Sequence, residues 1–212
     1  MNRKELVRLV AGFKRFRQKY FDVETSVYRK LSSGQTPKTL IIGCSDSRVD
    51  PALLSSASPG DLFIVRNVAN LVPPYEENGG FHGVSSAIEF AVLNLKVENV
   101  IVLGHRQCGG IRALMAGPGE NKSTFISRWV SIAEDAKQRV LAKYAGADPD
   151  ELCHRCELES IRTSLRNLRT FPFVQEAIET RQMNLIGAYF DLEEGRLLEL
   201  NEATGEFSAL PL

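Results

Sequence analysis

Two cysteines and one histidine stand where folding could bring them onto one metal ion. Cys44 closes one apolar run of the sequence, His105 closes another, and Cys108 follows His105 by three residues on a turn that Gly109 and Gly110 lead into a predicted helix. Two thiolates and one imidazole form a ligand set suited to zinc, and three protein ligands leave a fourth tetrahedral position for water, as in catalytic zinc sites. Because the His-X2-Cys spacing alone is a weak signal, the prediction depends on where the apolar runs lie in the fold.

A charged pair follows the first cysteine. In Cys44-Ser-Asp46-Ser-Arg48 the carboxylate and the guanidinium are two residues apart, so they can pair within one turn. An arginine that grips both carboxylate oxygens would hold Asp46 ionised and in one orientation. Asp46 could then accept a hydrogen bond from metal-bound water, or ligate the metal itself if the pairing broke. Each feature also has a structural interpretation, as a buried apolar cysteine or a loop-stabilising ion pair, but their joint placement favours a functional site.

Short apolar runs predict the strands that must position these residues. A helical pattern over residues 84–95 links two of the runs into a strand-helix-strand unit, which indicates a parallel sheet. In such a sheet, functional groups collect in the crevice beyond the carboxyl ends of the strands, so Cys44, His105 and Cys108 are expected to converge there. The fold class is therefore α/β, with a mostly parallel central sheet, an antiparallel edge strand and flanking helices. The predicted strands cover residues 39–42, 62–65, 100–103, 185–190 and 196–200.

Helical periodicity marks the rest of the chain. Residues 125–144 and 152–168 predict a helical hairpin around the breaker at residues 146–150. An amphipathic helix is expected near the N-terminus, outside the sheet unit. We predict a single domain over residues 1–212, with an N-terminal helical arm (1–34), a catalytic α/β core (35–190) and a C-terminal strand and tail (191–212). The apolar face of the arm consists of Leu6, Val7, Leu9, Val10, Phe13, Phe16 and Tyr20.

Composition excludes several classes of partner. The 212 residues carry 26 basic and 26 acidic side chains, so there is no charge excess to indicate nucleic acid or an anionic membrane as the partner. No apolar stretch resembles a membrane span or a secretory signal, which leads us to expect a cytoplasmic protein. Four cysteines are too few for a disulfide framework and are expected to be reduced. A small-molecule substrate is the expected partner.

Three stretches of the chain closely resemble the β-class carbonic anhydrases. They are Cys44-Ser-Asp-Ser-Arg48-Val, the segment from Gly60 to Asn70 (GDLFIVRNVAN) and Gly104-His-Arg-Gln-Cys-Gly-Gly-Ile111. The match runs from about Gln35 to Gly117 and resumes at residues 153–157 and 164–173, so it covers most of the chain.

The resemblance implies an activity and a set of site residues. It implies one zinc per subunit held by Cys44, His105 and Cys108, Asp46 and Arg48 as the catalytic dyad, and attack of zinc-bound hydroxide on CO2 to give bicarbonate and a proton. Matching positions also imply a substrate pocket, in which the phenyl ring at position 90 replaces the tyrosine of many plant-type members. The pocket residues are Gln35, Phe63, Val68, Phe90 and Gly109.

The resemblance also bears on regulation and on assembly. Some bacterial members have a non-catalytic bicarbonate site made of Trp, Arg and Tyr, and they lock the zinc with the Asp at low pH. Ile41 stands here at the position of that Trp, while Arg66 and Tyr189 could match the other two, so we predict the open, plant-like form at neutral pH. The N-terminal arm of the family wraps a neighbouring subunit, which implies a homodimer or a larger assembly.

Several alternatives stay open at this point. The Cys153-His-Arg-Cys156 segment could mark a redox or zinc motif, but we interpret its cysteines as structural because no second pair accompanies them. His82 and His154 are the histidines left for proton export. The same fold could serve a zinc hydrolase that acts on a CO2 analogue such as carbon disulfide, or a zinc-binding homologue without catalytic activity.

Overall fold

The structure of the chain is a computed structural model that describes residues 3–22, 26–77, 80, 82–117 and 125–211. Its centre is one six-stranded sheet with the order β2-β1-β3-β4-β5-β6. Strands β2, β1, β3 and β4 run parallel to one another. The pairs β4–β5 and β5–β6 at one edge are antiparallel. The strands are β1 (Thr39–Cys44), β2 (Leu62–Asn67), β3 (Asn99–His105), β4 (Asn184–Asp191), β5 (Arg196–Asn201) and β6 (Glu206–Ala209).

Nine helices occupy the described residues between and before these strands. The helix α4 continues into a single π-helical turn, Phe90–Asn94, and a short 3-10 turn, Ser131–Ala133, joins α6 to α7. Proline at the first position starts three of the helices, and Asp50 and Asp148 cap α3 and α8 by accepting backbone N–H groups. The helices are α1 (Arg3–Tyr20), α2 (Val27–Leu31), α3 (Pro51–Ser55), α4 (Gly83–Glu89), α5 (Gly109–Ala116), α6 (Phe125–Val130), α7 (Glu134–Lys143), α8 (Pro149–Leu168) and α9 (Pro172–Arg181).

Helix α8 lies unusually close to the middle of the sheet. A Cβ atom on Gly104 of β3 would stand 2.7 Å from the Ile161 side chain, and one on Gly187 of β4 would stand 3.0 Å from the same residue. Glycine at both positions therefore lets α8 settle onto the strands, and Ile161 is completely buried there. This contact places the N-terminal half of α8 beside the carboxyl end of β3.

The predicted fold class is confirmed, with four differences in the elements. The sheet has two antiparallel pairs at its edge, β4–β5 and β5–β6, where we expected a single antiparallel edge strand. The helix predicted over residues 125–144 is divided by its 3-10 turn. The breaker at residues 146–150 contains the cap and first turn of α8, since Asp148 and Pro149 start helices well. The short helix α3 and helix α9 were not predicted.

Among the described residues, no helix is both long and apolar enough to cross a membrane. Helix α1 is amphipathic, as expected, but none of its residues is buried. Its C-terminal end rests on α2, where the Phe16 and Phe21 rings contact Tyr28 at centroid distances of 5.5 Å and 4.9 Å. The described residues therefore leave the apolar face of its first three turns uncovered.

Candidate metal centre

The three predicted metal ligands meet at the carboxyl ends of two adjacent strands. Cys44 is the last residue of β1, His105 is the last residue of β3, and Cys108 caps the start of α5. One ligand atom from each lies within 4.8 Å of the other two, and all three side chains are buried. The convergence expected from the strand ends is thus observed.

The geometry of this cluster fits a tetrahedral zinc ion. Zn–S bonds of about 2.3 Å place two sulfurs about 3.8 Å apart in a tetrahedron, and the two Sγ atoms of Cys44 and Cys108 are 3.9 Å apart. The Nδ1 atom of His105 lies 2.8 Å from the Arg106 carbonyl oxygen, to which it can donate. Its Nε2 atom is buried without a hydrogen-bond partner among the described residues. A lone pair held free in this way is the arrangement that a metal-binding imidazole needs.

The protonation of the cluster also favours a cation. The hydrogen bond from Cys108 lowers the pKa of the Cys44 thiol, and His105 lowers it further. The same contact between the thiols, together with burial, raises the pKa of Cys108. Burial opposes protonation of His105, but the charge of the neighbouring Cys44 thiolate and the contact with the Arg106 carbonyl raise its pKa. Without a nearby cation, two adjacent buried thiols do not both lose their protons, because the two thiolates would repel each other. A divalent cation would compensate both negative charges.

Asp46 and Arg48 form a bidentate ion pair beside the cluster. The Nε and Nη2 atoms of Arg48 donate to the two carboxylate oxygens of Asp46 at 2.9 Å and 2.7 Å, and the Arg48 backbone N–H donates at 3.0 Å. Arg48 also donates to the Gln107 carbonyl in the ligand turn, at 3.1 Å. These hydrogen bonds from Arg48 hold the pKa of Asp46 well below its usual range. Asp46 is thus paired with Arg48, which is the arrangement expected when Asp46 does not ligate the metal. Ligation of a metal by Asp46 stays a prediction.

Arg66 supports the loop that carries Cys44 and Asp46. It donates to the backbone carbonyls of both residues, at 2.9 Å and 2.7 Å, and pairs with Asp50 at 2.8 Å. Tyr189, the other residue that could have matched a bicarbonate site, is buried on β4, and β1 and β3 lie between it and Arg66. Sequence reasoning missed the supporting role of Arg66, because the carbonyls it contacts are about twenty residues earlier in the chain.

The predicted pocket residues divide into two groups. Gly109 starts α5 directly after Cys108, and Val68 follows β2 at the same end of the sheet. Val68 lines an open cleft of about 650 Å³ together with His82, Val84, Ile126 and Trp129, which we call the Val68 cleft. The Trp129 indole donates to the Val68 carbonyl at 2.7 Å and so fixes one wall of the cleft.

The second group lies toward the opposite end of the strands. Phe63 pairs with Leu40, four residues before Cys44, which is about 13 Å along a strand. Phe90 packs on Phe63 at a centroid distance of 5.8 Å, and Gln35 is exposed in the loop that leads into β1. Within one chain these three residues are therefore not brought to the cysteine cluster, and their contact with substrate stays a prediction.

Comparison with known proteins identifies the family of the chain. The family model described as "Carbonic anhydrase" matches residues 39–197, which include the three ligands and the Asp46–Arg48 pair. The chain belongs to the carbonic anhydrase family. It is 37% identical over 191 residues to beta carbonic anhydrase 3 of Arabidopsis thaliana, with 89% of this chain and 74% of the relative covered. The β-class resemblance of the sequence is thus confirmed.

Solved structures of β-carbonic anhydrases share the whole fold. The β-carbonic anhydrase CcaA superposes with a TM-score of 0.90 at 32% identity, covering 99% of this chain and 93% of that one. A structure from a study of two tetrameric β-carbonic anhydrases of Sordaria macrospora superposes with a TM-score of 0.76 at 29% identity, covering 93% of this chain and 94% of that one. β-Carbonic anhydrases use zinc, and the Cys44, His105 and Cys108 cluster provides a fitting site for it.

Proposed function

We propose that this carbonic anhydrase family member catalyses the reversible hydration of CO2 to bicarbonate and a proton at the Cys44, His105 and Cys108 site. One observation carries the proposal: three buried ligand atoms converge at the strand ends directly beside a bidentate Asp46–Arg48 pair. A site with three protein ligands leaves room for a reactive fourth group, which a structural zinc site with four protein ligands does not.

The residues around the site have separate tasks. Zinc held by Cys44, His105 and Cys108 would lower the pKa of a coordinated water molecule and so supply a nucleophile near neutral pH. Arg48 fixes the orientation of Asp46 by a bidentate contact, and the remaining lone pairs of Asp46 would accept a hydrogen bond from that nucleophile and orient it. Gly109 starts α5 directly after Cys108, and its backbone N–H would stabilise the negative charge that develops on the substrate oxygen. Val68 supplies an apolar wall for CO2.

We also propose that the substrate pocket is completed by self-association. Gln35, Phe63 and Phe90 lie toward the amino ends of the strands in one chain, so a second copy must bring them to the cluster if they contact substrate. The uncovered apolar face of α1 supports such a contact, since Leu9 and Phe13 are 68% and 62% exposed. The tetrameric Sordaria macrospora relatives support an assembly of this kind.

A reducing compartment fits the cysteines. All four are unpaired, and burial raises the pKa of Cys156 to about 12, which makes it unreactive. We propose on this basis that the protein works in the cytoplasm and that Cys153 and Cys156 have no disulfide role. The division into an arm, a catalytic core and a C-terminal segment also stays our proposal.

Stopped-flow measurement of CO2 hydration tests the proposed function. The wild type is expected to be active with one zinc per chain, while Asp46→Asn keeps its zinc and loses at least tenfold in kcat/KM, because the amide cannot accept the same hydrogen bonds from Arg48. Carbon disulfide turnover is measured beside it. A zinc-replete wild type that turns over carbon disulfide and not CO2, or neither gas, contradicts the proposal.

A further inference from the structure

We infer that Glu157 of α8 is a positioning residue for the metal centre, because its buried carboxylate holds the turn that presents Cys108. The inference rests on the proposed function, since it concerns the same zinc site. Glu157 directly follows Cys156, in the segment whose two cysteines could mark a redox or zinc motif. In the folded chain the Glu157 side chain contacts the turn that carries Cys108, and the His154 side chain contacts Tyr189.

Glu157 joins the ligand turn to the sheet by two hydrogen bonds. The Cys108 backbone N–H donates to Oε1 at 2.9 Å, and the Tyr189 hydroxyl donates to Oε2 at 2.7 Å. The Tyr189 oxygen is in turn 3.0 Å from Nδ1 of His154. Glu157 is 3% exposed and Tyr189 is 1% exposed, so neither carboxylate oxygen depends on bulk water for a partner. The four residues form one continuous row, which we call the Glu157 row: Cys108, Glu157, Tyr189 and His154.

The direction of each hydrogen bond in the Glu157 row follows from the groups present. A backbone N–H can only donate, so Glu157 accepts from Cys108. Burial and the neighbouring Glu157 charge raise the pKa of Tyr189, which therefore remains a neutral phenol able to donate. Its single proton points to Glu157, so Nδ1 of His154 carries the proton that Tyr189 accepts. Every polar atom along the buried part of the row then has a partner, which is the condition for such a network to be rigid.

The reach of Glu157 depends on the close approach of α8 to the sheet. Ile161, one turn further along α8, sits against Gly104 of β3, the residue directly before His105. The same helix thus contacts the strand that carries His105 and the turn that carries Cys108. Glu157 links the two ligands through one rigid element.

Holding the Cys108 backbone also holds its sulfur. The backbone N–H groups of Gly110 and Ile111 donate to the Cys108 sulfur. These donors reach the sulfur only if the start of α5 keeps its present position relative to the strands. Without Glu157, the Cys108 N–H and the Tyr189 hydroxyl would both lose a buried acceptor, and the turn would be free to move.

Metal affinity tests the inference without relying on catalysis. We would measure the zinc dissociation constant of the full-length chain by competition with a chromophoric chelator, and record the sulfur-to-metal charge-transfer absorption of the cobalt(II)-loaded protein. Glu157→Ala is expected to weaken zinc binding about 10–100-fold, the usual loss when an outer partner of a ligand is removed, and to alter the cobalt spectrum. Glu157→Gln keeps a carbonyl acceptor for Cys108 and should recover most of the affinity.

Glu159→Gln is the matched control, because Glu159 lies on the same helix and pairs with surface arginines such as Arg139, at 2.8 Å. It should keep the wild-type zinc affinity and cobalt spectrum whatever it does to thermal stability. A Glu157→Ala protein whose affinity and spectrum equal those of Glu159→Gln would overturn the inference. If Glu157→Ala does not fold, Tyr189→Phe decides: a smaller loss of affinity with a changed spectrum supports the inference, and wild-type values overturn it. Zinc binding by the wild type without CO2 hydration would instead count against the proposed function.

Discussion

At the scale of single residues, Arg48 can affect both the orientation and the ionisation of Asp46, and the two effects can be distinguished. Its hydrogen bonds hold the pKa of Asp46 below its usual range. Without Arg48 this pKa would rise toward the ordinary value near 3.9, which still leaves Asp46 ionised above about pH 5. The arginine is therefore needed to orient the carboxylate and is not needed to charge it near neutral pH.

We expect Arg48→Gln to lower kcat/KM by about 10- to 100-fold, the cost of misplacing a reacting group by about 1 Å. The wild-type rate should rise from neutral toward alkaline pH, because two thiolate ligands offset the metal charge and disfavour ionisation of the bound water. The variant should show the same rise at a lower level, as measured by stopped-flow hydration from pH 6 to 9. A new ionisation within this range in Arg48→Gln would contradict the assignment of Arg48 to orientation alone.

The residues differ in how well the sequence predicts them. Cys44, His105 and Cys108 could be predicted because each stands at or just after the end of a recognisable strand. Glu157 could not, since its contact with Cys108 spans 49 residues and depends on the packing of α8. A signal was present, however: Glu157 shares the buried stripe of α8 with Ile161, Leu165 and Leu168, where a charged side chain needs a specific partner.

At the scale of elements, the packing of α8 on β3 depends on Gly104. Gly104→Ala would bring a methyl group within 2.7 Å of Ile161 and push the helix outward. Overpacking of this kind costs about 1–3 kcal/mol in the free energy of unfolding, and the displaced helix should also loosen zinc binding through Glu157. Urea unfolding at a fixed protein concentration measures the first effect.

Gly83→Ala is the matched control for Gly104→Ala, since no neighbouring atom of the described residues lies within 4 Å of the added methyl group at the start of α4. It should be neutral or slightly stabilising. Equal stabilities for the two alanine variants would show that α8 does not need Gly104.

The strands around Gly104 were predictable from their apolar runs, but helix α9 and strand β6 were not, because their short patterns gain stability only from the completed sheet.

At the scale of the whole molecule, the uncovered face of α1 predicts an assembly. Phe13→Glu would place a charge on that face and is expected to reduce the molar mass observed by multi-angle light scattering. Activity should fall with it, because Gln35, Phe63 and Phe90 reach the site only from a second copy in our proposal. Gln18→Glu adds the same charge about 140° around the helix from Phe13, beside Lys14 and Arg15, and should leave both mass and activity unchanged.

A wild-type protein that is monomeric and fully active at micromolar concentration would contradict this proposal.

The composition of the chain predicts a single domain with its own core, and the sheet provides that core. The apolar face of α1, however, is not covered by the described residues of its own chain, and the sequence shows this only as an amphipathic pattern that lies outside the sheet unit.

Zinc titration of the apoprotein tests the central claim most directly. Metal-free wild type is titrated with zinc while CO2 hydration is followed by stopped flow, with Cys44→Ala treated in parallel. Activity is expected to rise linearly and level off at one zinc per chain in the wild type, and to stay near the uncatalysed rate in Cys44→Ala. Full activity of the metal-free protein, or equal activity of the two proteins at one equivalent, would contradict the assignment of catalysis to this site.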